Sequence, residues 1–103
     1  MAACFCYMTA GSRAEGLKIG RALVEERLAA CANLLDGMIS IYRWQGATRE
    51  DAEVVLIAKT RTELVPRLVE RVRALHSYDV PCVVTLPISD GNPAFLEWIG
   101  AET

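Results

Sequence analysis

Two β-rich runs meet at Gln45-Gly46, and their length is the strongest constraint on how this chain folds. From Met38 the apolar residues recur with a period of two, Ile39 and Ile41 facing one way and Tyr42 and Trp44 the other, until Gln45-Gly46 supplies a turn signal. The chain returns through Glu53 to Thr60 as a second strand. Arms reaching from about Ala32 to Thr60 hold roughly 14 residues each and extend about 45 Å, with a bend or bulge expected at Asp36-Gly37. A compact domain of about 100 residues is only about 34 Å across. The hairpin is therefore expected to overhang its own domain as an apolar ribbon, which soluble proteins cover with a partner. Self-association through the hairpin is the expectation; a shorter hairpin curling onto its own sheet is the alternative.

The remaining elements surround this hairpin. Ala3 to Thr9 reads as a first strand, Gly11 breaks it, and Ser12 with Glu15 forms a capping box that starts a helix at about Arg13. Leu17, Val24, Leu28 and Cys31 supply that helix with an apolar stripe. A second helix follows Thr62 as N-cap, with Pro66 in its first turn and Val65, Leu68, Val69, Val72 and Leu75 on its inner face. His76 to Pro81 makes a loop, and Cys82 to Ile88 is an uncharged strand expected to be buried. Asn92-Pro93 opens a short helix in which Phe95, Trp98 and Ile99 share a face. The order βαββαβ plus a C-terminal helix predicts an α+β, ferredoxin-like fold, a split βαβ arrangement, with an antiparallel sheet, the two main helices on one face and an extended second-to-third-strand hairpin. With 103 residues, 52% of them hydrophobic, the chain suits one domain over residues 1–103. Its strands are apolar on both sides, so the helix-free sheet face is expected to be buried between subunits.

Charge and composition narrow the function. Eleven Lys and Arg against thirteen Asp and Glu leave a net charge of -2, with no basic excess for a phosphate backbone and no polybasic segment for an anionic membrane. The apolar runs are far shorter than the roughly 20 residues that span a bilayer. Met1 to Met8 lack a positive leader region and a cleavage site, so a cytoplasmic protein starting near Met1 is expected. Cys4, Cys6, Cys31 and Cys82 lack C-x-x-C spacing and read as small hydrophobes of a reducing compartment; Cys4 and Cys6 on one strand face would make half of a soft-metal site.

Few residues can carry chemistry. Lys18 and Lys59 are the only lysines, and Lys59 closes an apolar strand, where its ammonium could snorkel to water, bind an anion or pair with Asp79 or Glu97. His76 is the only histidine; it could partner the end of its helix or, with copies related by a threefold axis, complete a metal site. Tyr78 and Asp79 place a phenol and a carboxylate in the same loop, a set suited to a polar ligand or a metal. Gly11-Ser12-Arg13 offers amides and a guanidinium to an anion. No Ser or Cys nucleophile has a recognisable local motif, so an enzyme is not expected.

The segments Tyr7-Met8-Thr9-Ala10, Arg27-Leu28-Ala29-Ala30-Cys31-Ala32-Asn33, Ser40-Ile41-Tyr42-Arg43-Trp44-Gln45-Gly46, Lys59-Thr60, His76-Ser77-Tyr78-Asp79-Val80-Pro81 and Gly91-Asn92-Pro93 lie in order along nearly the whole chain. In them the sequence resembles the CutA divalent-cation-tolerance family. The resemblance implies a homotrimer whose hairpins wrap neighbouring subunits, and a binding or regulatory role in tolerance of copper and other divalent cations. It also implies a cleft between subunits where Lys59, Tyr42, Trp44, His76, Tyr78 and Asp79 gather around a metal ion or small molecule. Ser77 and Asp79 stand where the family's loop has proline and a longer acid. Met8 and Leu75-His76 stand where members with proposed copper ligation have a cysteine and two histidines, which leaves His76 and Met8 as the metal candidates, Met8 suiting Cu(I). The alternatives are a small-ligand-binding signalling trimer like the PII proteins, a trimeric scaffold for another protein, and an acylphosphatase-like hydrolase using Gly11 and Arg13.

Overall fold

The computed structural model describes residues 1–103. It arranges them as β1 (Ala3–Ala10), α1 (Arg13–Glu25), β2 (Cys31–Trp44), β3 (Ala47–Arg61), a 3-10 turn (Thr62–Leu64), α2 (Val65–Leu75), β4 (Val83–Pro87) and α3 (Pro93–Ala101). The strands form one antiparallel sheet in the order β2-β3-β1-β4. With β3 inserted between β1 and β2, this is the split βαβ, ferredoxin-like arrangement.

The hairpin is as long as its sequence predicts, with 14 residues in β2 and 15 in β3. The molecule measures 44 × 24 × 23 Å, so the hairpin tip projects beyond the packed body. Gln45 and Gly46 take φ of 50° and 78°, the paired positive values that match the twist of the flanking strands. At Asp36-Gly37 the register slips between Leu35 and Met38. Gly37 sits there at φ 82° with nothing around it, so glycine serves the backbone rather than the packing. Beyond the bulge Ser40, Tyr42 and Trp44 stand opposite Asp51, Arg49 and Ala47, and Ile39 and Ile41 point to the other face, 62% and 67% exposed.

Alternation sorts the sheet into two unlike faces. Cys4, Cys6 and Met8 of β1 and Leu56 and Ala58 of β3 meet Ile19 and Leu23 of α1 and Leu68 and Val72 of α2 in the main core. The opposite face carries Phe5, Tyr7, Leu35, Ile57, Val84 and Leu86, and neither α1 nor α2 packs on it. The third helix closes only one end, burying Ile99 with Ala3 and Ala30.

Four local expectations are corrected. The inner stripe of α1 is Gly16, Ile19, Gly20 and Leu23, because the helix stops at Glu25, Arg27 turns at φ 59°, and Leu28 and Cys31 lie past its end. The glycines set this face: a Cβ on Gly16 would lie 2.7 Å from Leu34 Cδ1, so the backbone of α1 rides directly on the side chains of β2. Thr62 caps no helix; it starts the 3-10 turn, and α2 begins one turn later with Pro66 near its N-terminus. In α3 the buried residue is Ile99, and Phe95 and Trp98 pair outside it with ring centroids 5.3 Å apart. The uncharged strand β4 is exposed, Leu86 by 58%, because it lies at the sheet edge and its outer face has no cover within the chain.

Candidate functional site

The loop after α2 is tied into the fold at three points. His76 Nε2 lies 2.8 Å from the Thr9 carbonyl, and the Tyr78 amide donates to His76 Nδ1 at 3.1 Å. A carbonyl only accepts, so the ring is the Nε2–H tautomer with both nitrogens engaged. The Ser77 amide donates to Glu15 Oε2 at 2.8 Å, while Glu15 Oε1 accepts from the Gly11 amide at 3.3 Å. Burial raises the Glu15 pKa, but the bonds from Ser77 and Gly11 and the nearby His76 outweigh it and hold the carboxyl below its ordinary value.

Tyr78 carries the loop to the uncovered sheet face. Its ring lies 4.6 Å from that of His76, and its hydroxyl donates to Glu53 Oε2 at 2.8 Å. Burial and the Glu53 carboxylate push the phenol pKa well above its ordinary value, so Tyr78 stays a neutral donor. A Cβ on Gly11 would come within 3.0 Å of the Tyr78 hydroxyl, so the turn after β1 leaves room for the phenol. Nearby, Tyr42 donates to Asp51, which raises the Tyr42 pKa, and Tyr7 donates to Met38 Sδ at 3.5 Å. Burial and the charge of Glu53 likewise raise the Cys82 thiol.

Lys59 lies elsewhere. Its ammonium donates to Asn33 Oδ1 at 2.9 Å and approaches Cys31 Sγ at 3.9 Å, both on the neighbouring strand β2. The acids anticipated from sequence are absent from it: neither Asp79 nor Glu97 meets Lys59 within the chain. Along β3, Lys59 is six residues from Glu53, and Ala47, the partner of Trp44, is six residues beyond Glu53 in the other direction, so each step is about 20 Å. One chain therefore spreads the candidates along the sheet, Lys59 near one end, His76, Tyr78 and the exposed Asp79 in the middle with Tyr42 beside them through Asp51 and Glu53, and Trp44 at the hairpin tip.

The metal candidates do not fit a site within one chain. Met8 is buried in the main core, only 1% exposed, and both ring nitrogens of His76 are taken. No three His, Cys, Asp or Glu side chains stand together as a metal-holding group. Cys4 and Cys6 are buried among apolar side chains, and burial together with its neighbour Cys4 pushes the Cys6 thiol up to about 12, which keeps it protonated. The anion cradle expected of a hydrolase is filled by the chain's own acids: Arg13 pairs with Asp36, and Glu15 takes the Gly11 amide. A groove of about 340 Å³ between α1 and β2 is lined by Gly16, Leu17, Gly20, Val24 and Leu34 among others, and no candidate residue borders it.

Comparison with known proteins accounts for this architecture. The sequence profile of the CutA1 divalent ion tolerance protein family matches residues 4–102. The chain belongs to the CutA1 divalent ion tolerance family. It is 55% identical over 85 residues to the divalent-cation tolerance protein CutA of Thermus thermophilus, covering 82% of each chain. It is 43% identical over 97 residues to the human protein CutA, covering 94% of this chain but 54% of the human one, so it spans about half the length of that relative. The solved structure of CutA1 from Oryza sativa superposes with a TM-score of 0.97 at 41% identity, covering 100% of this chain and 94% of the other. A structure described as the periplasmic divalent cation tolerance protein CutA of Archaeoglobus fulgidus gives 0.94 at 37% identity, covering 97% of each. None of these family members carries the name of an enzyme. No helix of this one is long and apolar enough to cross a membrane.

Sequence reasoning missed Glu15, Glu53 and Asn33 as members of these clusters. Glu15 was visible only as a helix-capping acid; its second role joins positions 62 residues apart. Asn33 lies diagonally across from Lys59, a relation that needs the register of β2 on β3.

Proposed function

We propose that this chain works as a homotrimer in the response to divalent cations such as copper, acting by binding and regulation rather than by catalysis. The observation that carries the assembly is the uncovered apolar sheet face, where Leu35, Val84 and Leu86 are each more than half exposed, together with the projecting hairpin, whose Ile39 and Ile41 are equally exposed on its other side. Exposed apolar surface of this extent is unstable in water and marks an interface. Covering it with copies of the same chain, by a closed threefold arrangement, protects the sheet edges as well.

The ligand site of this assembly is the cleft between subunits. Within one chain Lys59, the His76-Tyr78-Asp79 loop and the Trp44 tip are separate, and a long hairpin is the element able to carry one chain's tip toward another chain's loop. Tyr42, Trp44 and Tyr78 would give such a cleft aromatic walls, with Lys59 and Asp79 its polar groups and His76 bracing the loop. Four unpaired cysteines suit a cytoplasmic setting.

Native mass spectrometry of the protein, titrated with copper and zinc, tests both parts. The expected spectrum is a three-chain species, with any bound ion unaffected by His76→Gln because His76 is a brace. A single-chain species overturns the assembly; ions bound in threefold-related stoichiometry and lost in His76→Gln would restore His76 as a ligand.

A further inference from the structure

Covering the apolar sheet face creates a charge problem at Lys59. Three of the lysines and arginines are half-buried, Lys59, Arg61 and Arg71. Arg61 pairs with Glu63 at 2.6 Å and Arg71 with Glu26 at 2.9 Å. Lys59 alone has no carboxylate and meets only a side-chain amide oxygen and a thiol. It stands between Phe5 and Cys31 in register, on the same face as Ile57 and Leu86. Burying an ammonium among such residues is unfavourable unless an opposite charge goes with it.

The acids of that face are already committed. Glu53 accepts from Tyr78 and Asp51 from Tyr42, and both stand well away along β3. An ammonium has three N–H donors, and Asn33 and Cys31 use two of them. The Asn33 amide nitrogen, fixed beside the ammonium because its oxygen accepts from Lys59, donates to nothing in the chain. Two adjacent donors without acceptors, one of them charged, match two oxygens of a carboxylate or a phosphate.

We infer that Lys59 and Asn33 form a binding site for a small oxyanion, a carboxylate or phosphate group of a free ligand, in the covered sheet face. The inference rests on the proposed assembly and gives its cleft a ligand class: an anion rather than a cation. The tolerance role then works through an anionic small molecule, and divalent cations reach this cleft only as its counter-ions or complexes.

Isothermal titration calorimetry with inorganic phosphate and with acetate, on the full chain at low ionic strength, tests it. The expected result is saturable binding of one anion per chain, weakened about tenfold by Lys59→Gln and severalfold by Asn33→Ala and retained by Lys59→Arg, as loss of a charge-assisted bond requires. Circular dichroism of each variant confirms that it is folded, and sedimentation equilibrium on the same samples reports the subunit count. A trimer that binds neither anion overturns this inference and leaves the assembly standing, whereas a monomer overturns the assembly itself. Binding that appears only in Asp79→Asn or Glu97→Gln would show that a neighbouring copy's carboxylate fills the place, and it too overturns the free ligand.

Discussion

The amide of Ser77 donates to Glu15 Oε2 at 2.8 Å, so the acid that helps start α1 also anchors the loop that ends α2. Removing it should release that loop. Glu15→Ala is expected to destabilise the protein by about 1–2 kcal/mol in urea unfolding, the usual result of leaving amide donors without their acceptor.

The same bonds set a pH dependence. Because the folded protein holds the Glu15 carboxyl below its ordinary value of 4.5, its stabilising effect is fully present above that value and fades as pH falls through the lowered folded one. The Tm difference between wild type and Glu15→Gln should therefore be largest near neutral pH and shrink as pH falls below 4.5. A difference that stays constant down to pH 3 would show that the carboxylate charge is not what holds Ser77.

Gly16 is where α1 comes closest to the sheet. A Cβ there would lie 2.7 Å from Leu34 Cδ1 and 3.0 Å from Val54 Cγ2, and the valine cannot swing aside as a longer side chain can. Gly16→Ala should lower stability by about 1–3 kcal/mol through overpacking. Adding Leu34→Val should recover part of that loss, measured as a coupling energy in a double-mutant cycle.

Thr60 is fully buried, and its hydroxyl donates to the Leu28 carbonyl at 2.7 Å. Thr60→Val keeps the shape and strands that carbonyl. Guanidinium unfolding should show a loss of about 1–3 kcal/mol, with subunit count unchanged because the residue lies on the helix side of β3.

How far the sequence foretold this depends on what each feature needed. The overhanging hairpin needed only strand rise and chain length, and the bulge at Asp36-Gly37 only a glycine free to take positive φ. The inner face of α1 was misplaced because Gly16 and Gly20 carry no hydrophobic signal, although their lack of a side chain is what brings the helix onto Leu34 and Leu56. At the candidate site, residue types were readable but pairings were not. His76 looked like a ligand until the Thr9 carbonyl and the Tyr78 amide took its two nitrogens. The acid sought for Lys59 proved to be the amide of Asn33, which only strand register could reveal.

Burial of the uncovered sheet face against copies of the chain is the claim on which the rest depends, and sedimentation equilibrium at micromolar concentration tests it most directly. Wild type should sediment as three times the 11.3 kDa chain, and Leu86→Asp or Val84→Asp, each placing a charge on the uncovered sheet face, should shift the mass toward one chain while circular dichroism still shows folded protein. A wild-type mass of a single chain, or a trimer indifferent to both substitutions, would contradict it.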